Sequence, residues 1–476
     1  MSQPRSAPAV PAKPRTKWIR RGLLIFLLLY LAAAVLPYAF PPSNVVLPDN
    51  WRENAASDRQ VDSAVILETG SEALDARLRL IANARQSIRA GSYLFALDDS
   101  GTQIASALLA AADRGVKVRL IVDGMIGLIN LRADPAAYAL GSHPNIEIGF
   151  YNPVNPLDPL SLNARYHEKF FVIDDAWLIL GGRNISDEFL SQEGNPHYNY
   201  DRDILLHRDR DGLSACQLVA EYFDAMWEGD LCRTRYGAVP GRMAASVSAA
   251  GEQLQALWQT LSASRDLTPP DLTVFYPVER SLLLSGDTAA RPKAPLVYAQ
   301  MLDLMADAQE RVVLESPYFV LDGAMRNGLA QVCSLPAQVT LMTNSAASGN
   351  NIIASADGVF HRGMTNRLDA LVLEQQTAYS MHTKSVLIDD ELSIFGSFNV
   401  DPRSAYIDTE LMLAVYSRPL AAQLEGHMEA LAAQSSPVSA QAQAVYPAVA
   451  AQPLPFLKAA AIYLLSPLVS LLRYLA

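Results

Sequence analysis

Two histidine–lysine pairs are the residues of this chain best suited to chemistry. His167 and Lys169 stand two residues apart, and His382 and Lys384 repeat the pair 215 residues later. Side chains two apart in a strand project from the same face, so each histidine lies beside its lysine. An imidazole can act as a nucleophile or a proton donor near neutral pH, and an ammonium group binds anions. If the pairs converge, they form a site for a tetrahedral anion such as a phosphodiester.

Each pair begins a longer repeat. An apolar run follows each lysine and ends at Asp174 in the first copy and at Asp389 in the second, where a hairpin turn begins. The return strands end at "GGRN" and "GSFN", which carry Asn184 and Asn399. Glycine permits a tight backbone there, and asparagine donates amide hydrogens to an anion. The constant offset predicts two similar lobes, related by a pseudo-twofold axis, with one shared cleft.

A second pair of similar stretches supplies candidate carboxylates. The stretch "DRDILL" begins at Asp201, and the similar stretch "DTELML" begins at Asp408. Aligned at their first aspartates, these stretches make Asp203 the counterpart of Glu410. A carboxylate that accepts a hydrogen bond from an imidazole fixes its tautomer. We therefore expect Asp203 and Glu410 to support the two histidines.

These residues predict a two-step exchange of phosphodiester groups. One histidine attacks phosphorus and forms a covalent phosphohistidine, while the other protonates the leaving alkoxide and later deprotonates the incoming alcohol or water. No metal or other cofactor is expected, since the lysines supply the positive charge that a metal would give. The residues alone do not decide which histidine attacks.

The motifs resemble those of the phospholipase D superfamily. Its signature, H-x-K-x4-D followed by G-[GS]-x-N, matches "HEKFFVID … GGRN" and "HTKSVLID … GSFN". The resemblance implies a two-lobed α/β fold and metal-independent chemistry through a phosphatidyl-histidine. It also implies that His167 is the nucleophile and His382 the acid and base. The implied catalytic set is completed by Lys169, Lys384, Asp174 and Asp389, the two aspartates ordering the hairpins.

Within this superfamily the chain is most similar to bacterial cardiolipin synthases. The stretches that carry this similarity include "AADRGVKVRLIVD", "HPNIEIGFYNP" and "GSFNVDPRSAYIDTEL". The resemblance implies transfer of a phosphatidyl group between phospholipids such as phosphatidylglycerol. Three alternatives stay open: hydrolysis of a phospholipid, cleavage of nucleic acid by a tethered nuclease, and lipid binding by a vestigial site.

Alternation of helical and strand patterns places the motifs in an α/β fold. We predict a first lobe over residues 61–235 and a second over residues 291–434, with a connector over 236–290. Linkers are predicted over 41–60 and 435–455, the second of low complexity and flexible. Because both motifs are present in one chain, a monomer is sufficient for the site.

The N-terminal region predicts a membrane anchor. Residues 22–40 form an apolar run of 19 residues without a charge, and residues 1–21 are basic with no acidic residue. About 20 apolar residues span a bilayer, and basic flanks stay in the cytoplasm. We expect an anchor in the bacterial cell membrane with both lobes outside. A cleaved signal peptide is the alternative, although its apolar region is usually shorter.

The C-terminal segment, residues 456–476, contains an apolar run of 14 residues, 459–472, between Lys458 and Arg473. This run is too short to cross a bilayer directly, and Pro467 would kink a helix there. We expect it to lie at the membrane interface or, alternatively, to dock on the protein's own core.

Composition bears on the other partners. The net charge of −11 disfavours binding of nucleic-acid phosphates, so no nucleic-acid partner is expected.

Cys216, Cys232 and Cys333 show no metal-ligand spacing, and a disulfide between Cys216 and Cys232 is the alternative to buried free thiols.

Overall fold

A computed structural model describes residues 15–42, 45–191, 195–236 and 238–475. Most of the basic segment predicted at the N-terminus, including Arg5 and Lys13, lies outside the described residues.

The chain alternates strands and helices in two successive lobes. The first part contains α1 Arg15–Val35, α2 Trp51–Asn54, β1 Asp62–Leu67, α3 Gly70–Asn83, β2 Ser87–Ser92, α4 Asp99–Asp113, β3 Lys117–Asp123, α5 Ile126–Leu131, α6 Pro135–Gly141, β4 Ile146–Tyr151, β5 Lys169–Ile173, β6 Trp177–Gly181, α7 Asp187–Leu190, β7 Asn199–Tyr200, β8 Asp203–Arg208, α8 Ala215–Glu228, β9 Cys232–Arg235, α9 Ala244–Ser264 and β10 Tyr276–Pro277.

The second part repeats this alternation. It contains β11 Arg280–Ser285, α10 Leu296–Met305, β12 Arg311–Glu315, α11 Gly323–Cys333, β13 Gln338–Asn344, α12 Ile352–Thr365, β14 Leu371–Gln375, β15 Ser380–Met381, β16 Ser385–Ile388, β17 Leu392–Gly396, α13 Pro402–Tyr406, β18 Leu411–Tyr416, α14 Arg418–Ala432, β19 Ser435–Pro437, α15 Ala440–Val445 and α16 Phe456–Leu471.

Two mixed sheets carry the lobes, and their strand orders correspond. The first has nine strands in the order β10-β1-β8-β6-β5-β2-β3-β4-β9, and the second has eight in the order β11-β18-β17-β16-β12-β13-β14-β19. Apart from β10, each strand of the first sheet has a counterpart at the same place in the second. The α/β fold with two related lobes, predicted from the repeated motifs, is therefore confirmed.

Local sequence signals explain the elements around the site. The strand after Lys169 is buried along its whole length, as expected of a strand covered on both faces. Helix α3 begins at a capping box in which Thr69 and Glu72 satisfy each other's backbone amides. In helices α4 and α11, Asp98 and Asp322 cap the corresponding N-termini.

Apolar residues from both sheets pack together between the lobes. Phe170 and Leu180 of the first sheet lie in the same buried cluster as Leu387 and Phe395 of the second. Each lobe also has its own core on the other face of its sheet. Burial of this shared face is the main force that fixes the lobes relative to each other.

The segments outside the predicted lobes are more ordered than the sequence suggested. The predicted connector contains the 21-residue helix α9, and β11 is an edge strand of the second sheet. The predicted flexible tether contains β19, which pairs with β14, and the short helix α15. The alternative of a disulfide is not realised, because Cys216, Cys232 and Cys333 are free and buried.

Both terminal helices are apolar and reach the lobes at one place. The segment Trp18–Ala39 is long and apolar enough to cross a membrane. At its end, Tyr38 is buried and its hydroxyl donates to the carbonyl of Leu160, 2.5 Å away. Helix α16 packs against α12 and is followed by a 3-10 helix, Arg473–Leu475, which contacts the 3-10 helix Leu36–Ala39 that follows α1.

Candidate active site

Short backbone pairings between the lobes position the two histidines. Tyr166 pairs in parallel with Thr409, and Met381 pairs in parallel with Tyr200. The residue after Tyr166 and the residue after Met381 are histidines, whereas the residues after Thr409 and Tyr200 are acidic. The pairings therefore set each histidine of one lobe beside an acidic residue of the other lobe.

His167 contacts Glu410 of the second lobe. Its Nδ1 lies 2.8 Å from Glu410 Oε1, and the imidazole is only 14% exposed. The carboxylate is held in turn by two hydroxyls: Ser404 Oγ donates to Oε1 over 2.6 Å, and Ser397 Oγ donates to Oε2. Glu410 thus lies beside the histidine of the other lobe.

His382 makes the equivalent contact with Asp201 of the first lobe. Its Nδ1 lies 2.5 Å from Asp201 Oδ2, and its backbone amide donates to the carbonyl of Tyr200. Glycine is required at position 182, because an added Cβ would lie 2.5 Å from both carboxylate oxygens of Asp201. The "GG" of the first motif therefore makes room for a carboxylate.

The prediction that Asp203 holds a histidine is wrong. Asp203 is fully buried and pairs with Arg77, 3.0 Å away, and with Arg183. The two lobes correspond with an offset of 209 residues here, since Gly181 pairs with Asp203 and Gly396 pairs with Met412. Alignment at the first aspartates is thus wrong by two residues, and Asp201 is the counterpart of Glu410.

The two lysines are buried beside the histidines. Lys169 Nζ donates to the carbonyl of His167, and Lys384 Nζ donates to the carbonyl of His382. Lys384 Nζ also lies 2.7 Å from His382 Nδ1. The four residues of the two pairs thus form two similar groups, one on each side of the contact between the lobes.

Asp174 and Asp389 lie at the other ends of their strands, away from the histidines. Each has a positive φ, 54° and 52° respectively. The Asp174 carboxylate accepts from three successive backbone amides, those of Arg85, Gln86 and Ser87. Asp389 does the same for residues 309–311. These contacts order the start of β2 and β12, so both aspartates organise the hairpins.

Asn184 and Asn399 are buried where the return strands end. Asn184 Oδ1 accepts from the amide of Leu94, 3.3 Å away. Asn399 Oδ1 has no hydrogen-bond partner among the described residues. The side-chain oxygen of Asn399 therefore has unused hydrogen-bonding capacity. Burying such an oxygen without a partner costs folding free energy.

Each histidine also contacts an aromatic ring, which the motifs did not predict. Tyr93 lies edge-on to His167 with ring centroids 5.3 Å apart, and Phe189 lies edge-on to His382 at 5.0 Å. Lys169 Nζ lies over the ring of Tyr93. The place of Tyr93 directly after β2, the strand beside β5, is the signal that could have identified it.

Burial dominates the electrostatics of the site. It lowers the pKa of His167 well below its usual range, and it lowers the pKa of His382 to about 4, with the adjacent Lys384 adding to this effect. Burial also lowers the pKa of Lys169 to about 7 and that of Lys384 to about 8. Burial therefore favours the neutral form of both imidazoles in the absence of substrate, and it brings the titration of both lysines toward neutral pH.

The two equivalent carboxylates differ in their acidity. Burial raises the pKa of Glu410 to about 7, against the opposing charge of Lys169. Burial also acts to raise the pKa of Asp201, but the charges of Lys384 and His382 outweigh it and lower this pKa. Asp201 therefore stays ionised to a lower pH than Glu410 does.

Comparison with known proteins decides the family. A family model described as "Cardiolipin synthase, PLD-like domain" matches residues 78–227 and 301–432, more than half of the chain. The chain belongs to the phospholipase D superfamily. It is an enzyme of the cardiolipin-synthase type within that superfamily, and the two matched ranges fall in its two lobes.

Several curated proteins are similar to this chain over most of its length. Cardiolipin synthase C of Escherichia coli (strain K12) is 28% identical over 414 residues, which cover 75% of this chain and 82% of the relative. An uncharacterized protein of Helicobacter pylori (strain J99) is 26% identical over 79% of this chain and 80% of its own length. The major cardiolipin synthase ClsA of Bacillus subtilis (strain 168) is 22% identical over 78% of this chain and 69% of the relative.

A solved structure shares the fold. The phosphatidylserine synthase of Haemophilus influenzae Rd KW20 aligns with a TM-score of 0.64 and 16% identity, covering 89% of this chain and 98% of that one. That structure thus shares the two-lobed architecture of this chain.

Proposed function

We propose that this protein is a membrane-bound phosphatidyltransferase that moves a phosphatidyl group from one phospholipid to a hydroxyl of another through a phosphohistidine. Three findings support this: the family, the similarity to named cardiolipin synthases, and the two histidine–carboxylate pairs. The observation that carries the proposal is that each pair is built from both lobes, and that the lysine beside each histidine acts electrostatically on the histidine of the other lobe. A single chain supplies all of these residues.

His167 is the nucleophile in this proposal. Donation of its Nδ1–H to Glu410 leaves a lone pair on Nε2, which attacks phosphorus. The P–O bond to the headgroup breaks as the N–P bond forms. The phosphate's negative charge is stabilised by Lys169 and Lys384, because their ammonium groups are buried beside the two imidazoles.

His382 is the acid and base. Its Nδ1–H donates to Asp201, and the negative charges of that carboxylate and of the bound phosphate favour a second proton on Nε2, which is the proton that a leaving alkoxide needs. In the second step a hydroxyl of the accepting lipid gives its proton to His382 as its oxygen attacks phosphorus. The N–P bond to His167 then breaks, and both histidines return to their first states.

The experiment uses the full chain reconstituted in vesicles of phosphatidylglycerol labelled in the headgroup and, separately, in the acyl chains. We expect release of free glycerol and formation of cardiolipin. His167→Ala and His382→Ala should each abolish both products. Phosphatidic acid without cardiolipin would instead make the protein a hydrolase, and turnover by the double variant would remove the histidine mechanism.

The membrane arrangement is part of the proposal. Helix α1 spans the bilayer with its N-terminus in the cytoplasm and the lobes outside, supported by the basic Arg20 and Arg21 before the apolar run. A cysteine placed at the exposed Gln255 of α9 should react with a membrane-impermeant thiol reagent in intact cells. Labelling only after cell lysis would reverse the orientation.

A further inference from the structure

A cavity of about 350 Å³ opens beside His382 in the second lobe. Helix α12 and the ends of β12 and β13 form its walls, and Phe189 and Asn199 of the first lobe complete them. Of the described residues that line the cavity, His382 is the only member of the two histidine–lysine pairs. The cavity therefore leads to the histidine that acts as acid and base in the proposed reaction.

The walls of this cavity combine apolar side chains with uncharged polar groups, and their charge is close to neutral. The hydroxyl of Thr343 is buried without a partner among the described residues, and Ser355, Thr365 and Asn366 add two hydroxyls and an amide. The one carboxylate among the described lining residues, Glu374, lies 2.7 Å from Arg362 and is neutralised by it. Such walls bind hydroxyl groups better than they bind a cationic amine, which needs a free carboxylate.

Helix α12 separates the cavity from the apolar helix α16. Ile462 and Val469 of α16 are buried in a small apolar cluster with residues of α12. Polar contacts fix the two helices together: Ser466 Oγ donates to the Ala356 carbonyl over 3.0 Å, and Arg473 lies 3.1 Å from the buried Asp357. The cavity wall and α16 thus form one unit.

The outer face of this unit is apolar and exposed. On α16, Phe456, Leu457 and Leu464 are each more than four-fifths exposed. Leu468 and Leu471 of α16, and Ile353 and Phe360 of α12, are each more than half exposed as well. The cation of this segment, Lys458, turns inward and donates to the carbonyls of Ala347 and Gly349. Exposed apolar surface of this extent marks an interaction site.

The position of α1 identifies what covers this face. The 3-10 helix after α16, Arg473–Leu475, contacts the 3-10 helix Leu36–Ala39 at the end of α1. Arg403 of the second lobe also donates to the carbonyl of Leu475, which ties this junction to the lobe. The apolar face of α16 therefore begins where the membrane-spanning helix enters the lobes, and the bilayer lies next to it.

We infer that the cavity binds the hydroxyl-bearing headgroup of the accepting phospholipid while its acyl chains lie along α12 and α16. This inference rests on the proposed function. The headgroup hydroxyl gives its proton to His382 as its oxygen bonds to phosphorus and the N–P bond to His167 breaks. The cavity has the size of a small-ligand site and cannot also hold two acyl chains, which remain in the bilayer.

Gly358 allows a sharp test. It lines the cavity, and an added Cβ would meet no atom within 4 Å. Gly363 lies on the same helix with equal space around it and is not among the described lining residues, so it gives a matched control. Both substitutions by leucine favour the helix, so neither is expected to unfold it. Only the leucine at position 358 would occupy the cavity.

The assay follows full-length protein in nanodiscs of phosphatidylglycerol with ethanol as a second, small acceptor. Gly358→Leu should lower the ratio of cardiolipin to phosphatidylethanol about tenfold, because only the lipid headgroup needs the filled space. Gly363→Leu should leave the ratio unchanged. An unchanged ratio in Gly358→Leu would overturn the acceptor site. If the unsubstituted protein forms neither product, the proposed function itself has failed.

A second measurement tests the bilayer contact without turnover. A spin label at Leu464→Cys in nanodiscs should be relaxed by oxygen and protected from a water-soluble nickel complex. A label at Gln255→Cys, on an exposed position of α9 in the first lobe, should show the reverse. The three native cysteines are buried and give little background. Exposure of the Leu464 label to nickel would overturn the placement of the acyl chains.

Discussion

Asp201 and His382 belong to different lobes, yet Asp201 Oδ2 lies 2.5 Å from His382 Nδ1. The same relationship, with the lobes exchanged, joins Glu410 to His167. Neither lobe therefore contains a complete histidine–carboxylate pair. The contact between the lobes is part of the site.

Asp201→Asn should reduce kcat by roughly 10²- to 10⁴-fold, because an amide cannot hold the imidazole tautomer that the carboxylate holds. The measurement is initial-rate kinetics of lipid transfer, with circular dichroism to check the fold. Asp203→Asn is the matched control. It weakens a buried ion pair with Arg77 and should lower the melting temperature, while the folded fraction keeps its kcat. Equal losses of kcat in both variants would contradict this assignment.

The pH dependence should differ between free and substrate-bound protein. Burial lowers the pKa of Lys169 to about 7 and that of Lys384 to about 8, so kcat/KM should fall as the pH rises through this range and the ammonium groups lose their charge. A bound phosphate favours the charged lysine and raises its pKa, so the alkaline limb of kcat should lie at higher pH. Profiles of both constants from pH 5 to 10 check this. Coincident limbs would show that the phosphate does not contact the lysines.

Asp389→Ala should destabilise the second lobe without changing the chemistry. The carboxylate accepts from three backbone amides at the start of β12, and alanine leaves these without a partner. The expected loss is about 2 kcal/mol of unfolding free energy, measured by chemical denaturation. Asp389→Asn is the control, because asparagine tolerates the positive φ and can still accept. A large loss of kcat in folded Asp389→Ala would instead place this residue at the site.

Gly182→Ala should reduce activity by displacing Asp201. The added Cβ would lie 2.5 Å from both oxygens of that carboxylate, which must move away from His382. Gly251→Ala on α9 is the control, since its Cβ would meet its nearest atom at 3.7 Å. We expect a loss of about tenfold or more in kcat for Gly182→Ala only. Unchanged kinetics would mean that the carboxylate position is not critical.

The sequence alone predicted most of the site but misplaced one carboxylate. The two HxK motifs share one exact offset and come with fixed glycines and asparagines, so the two lobes and their convergence were predictable. The acidic stretches gave no such anchor. Asp201 and Asp203 are two residues apart, and the period of a strand is also two, so either alignment suits the pattern. The strand registers within the lobes and the cross-lobe pairing of Tyr200 with Met381 distinguish them.

The parts outside the motifs were less predictable. Helix α9 and strand β19 lie in segments with few apolar repeats, and their stability depends on packing against α4, α6 and β14. Helix α16 docks one face on α12, as the alternative expectation for the C-terminal segment had it, and its other face is exposed. Such contacts join residues far apart in the chain, and no local pattern reports them.

The exchange of carboxylates across the two halves also constrains how this chain can evolve. A lobe produced alone would hold a histidine without its acid and an acid without its histidine, so neither fragment could retain a partial activity. A substitution beside the site in one half consequently changes the pair that contains a histidine or carboxylate of the other half. The two halves must therefore evolve together.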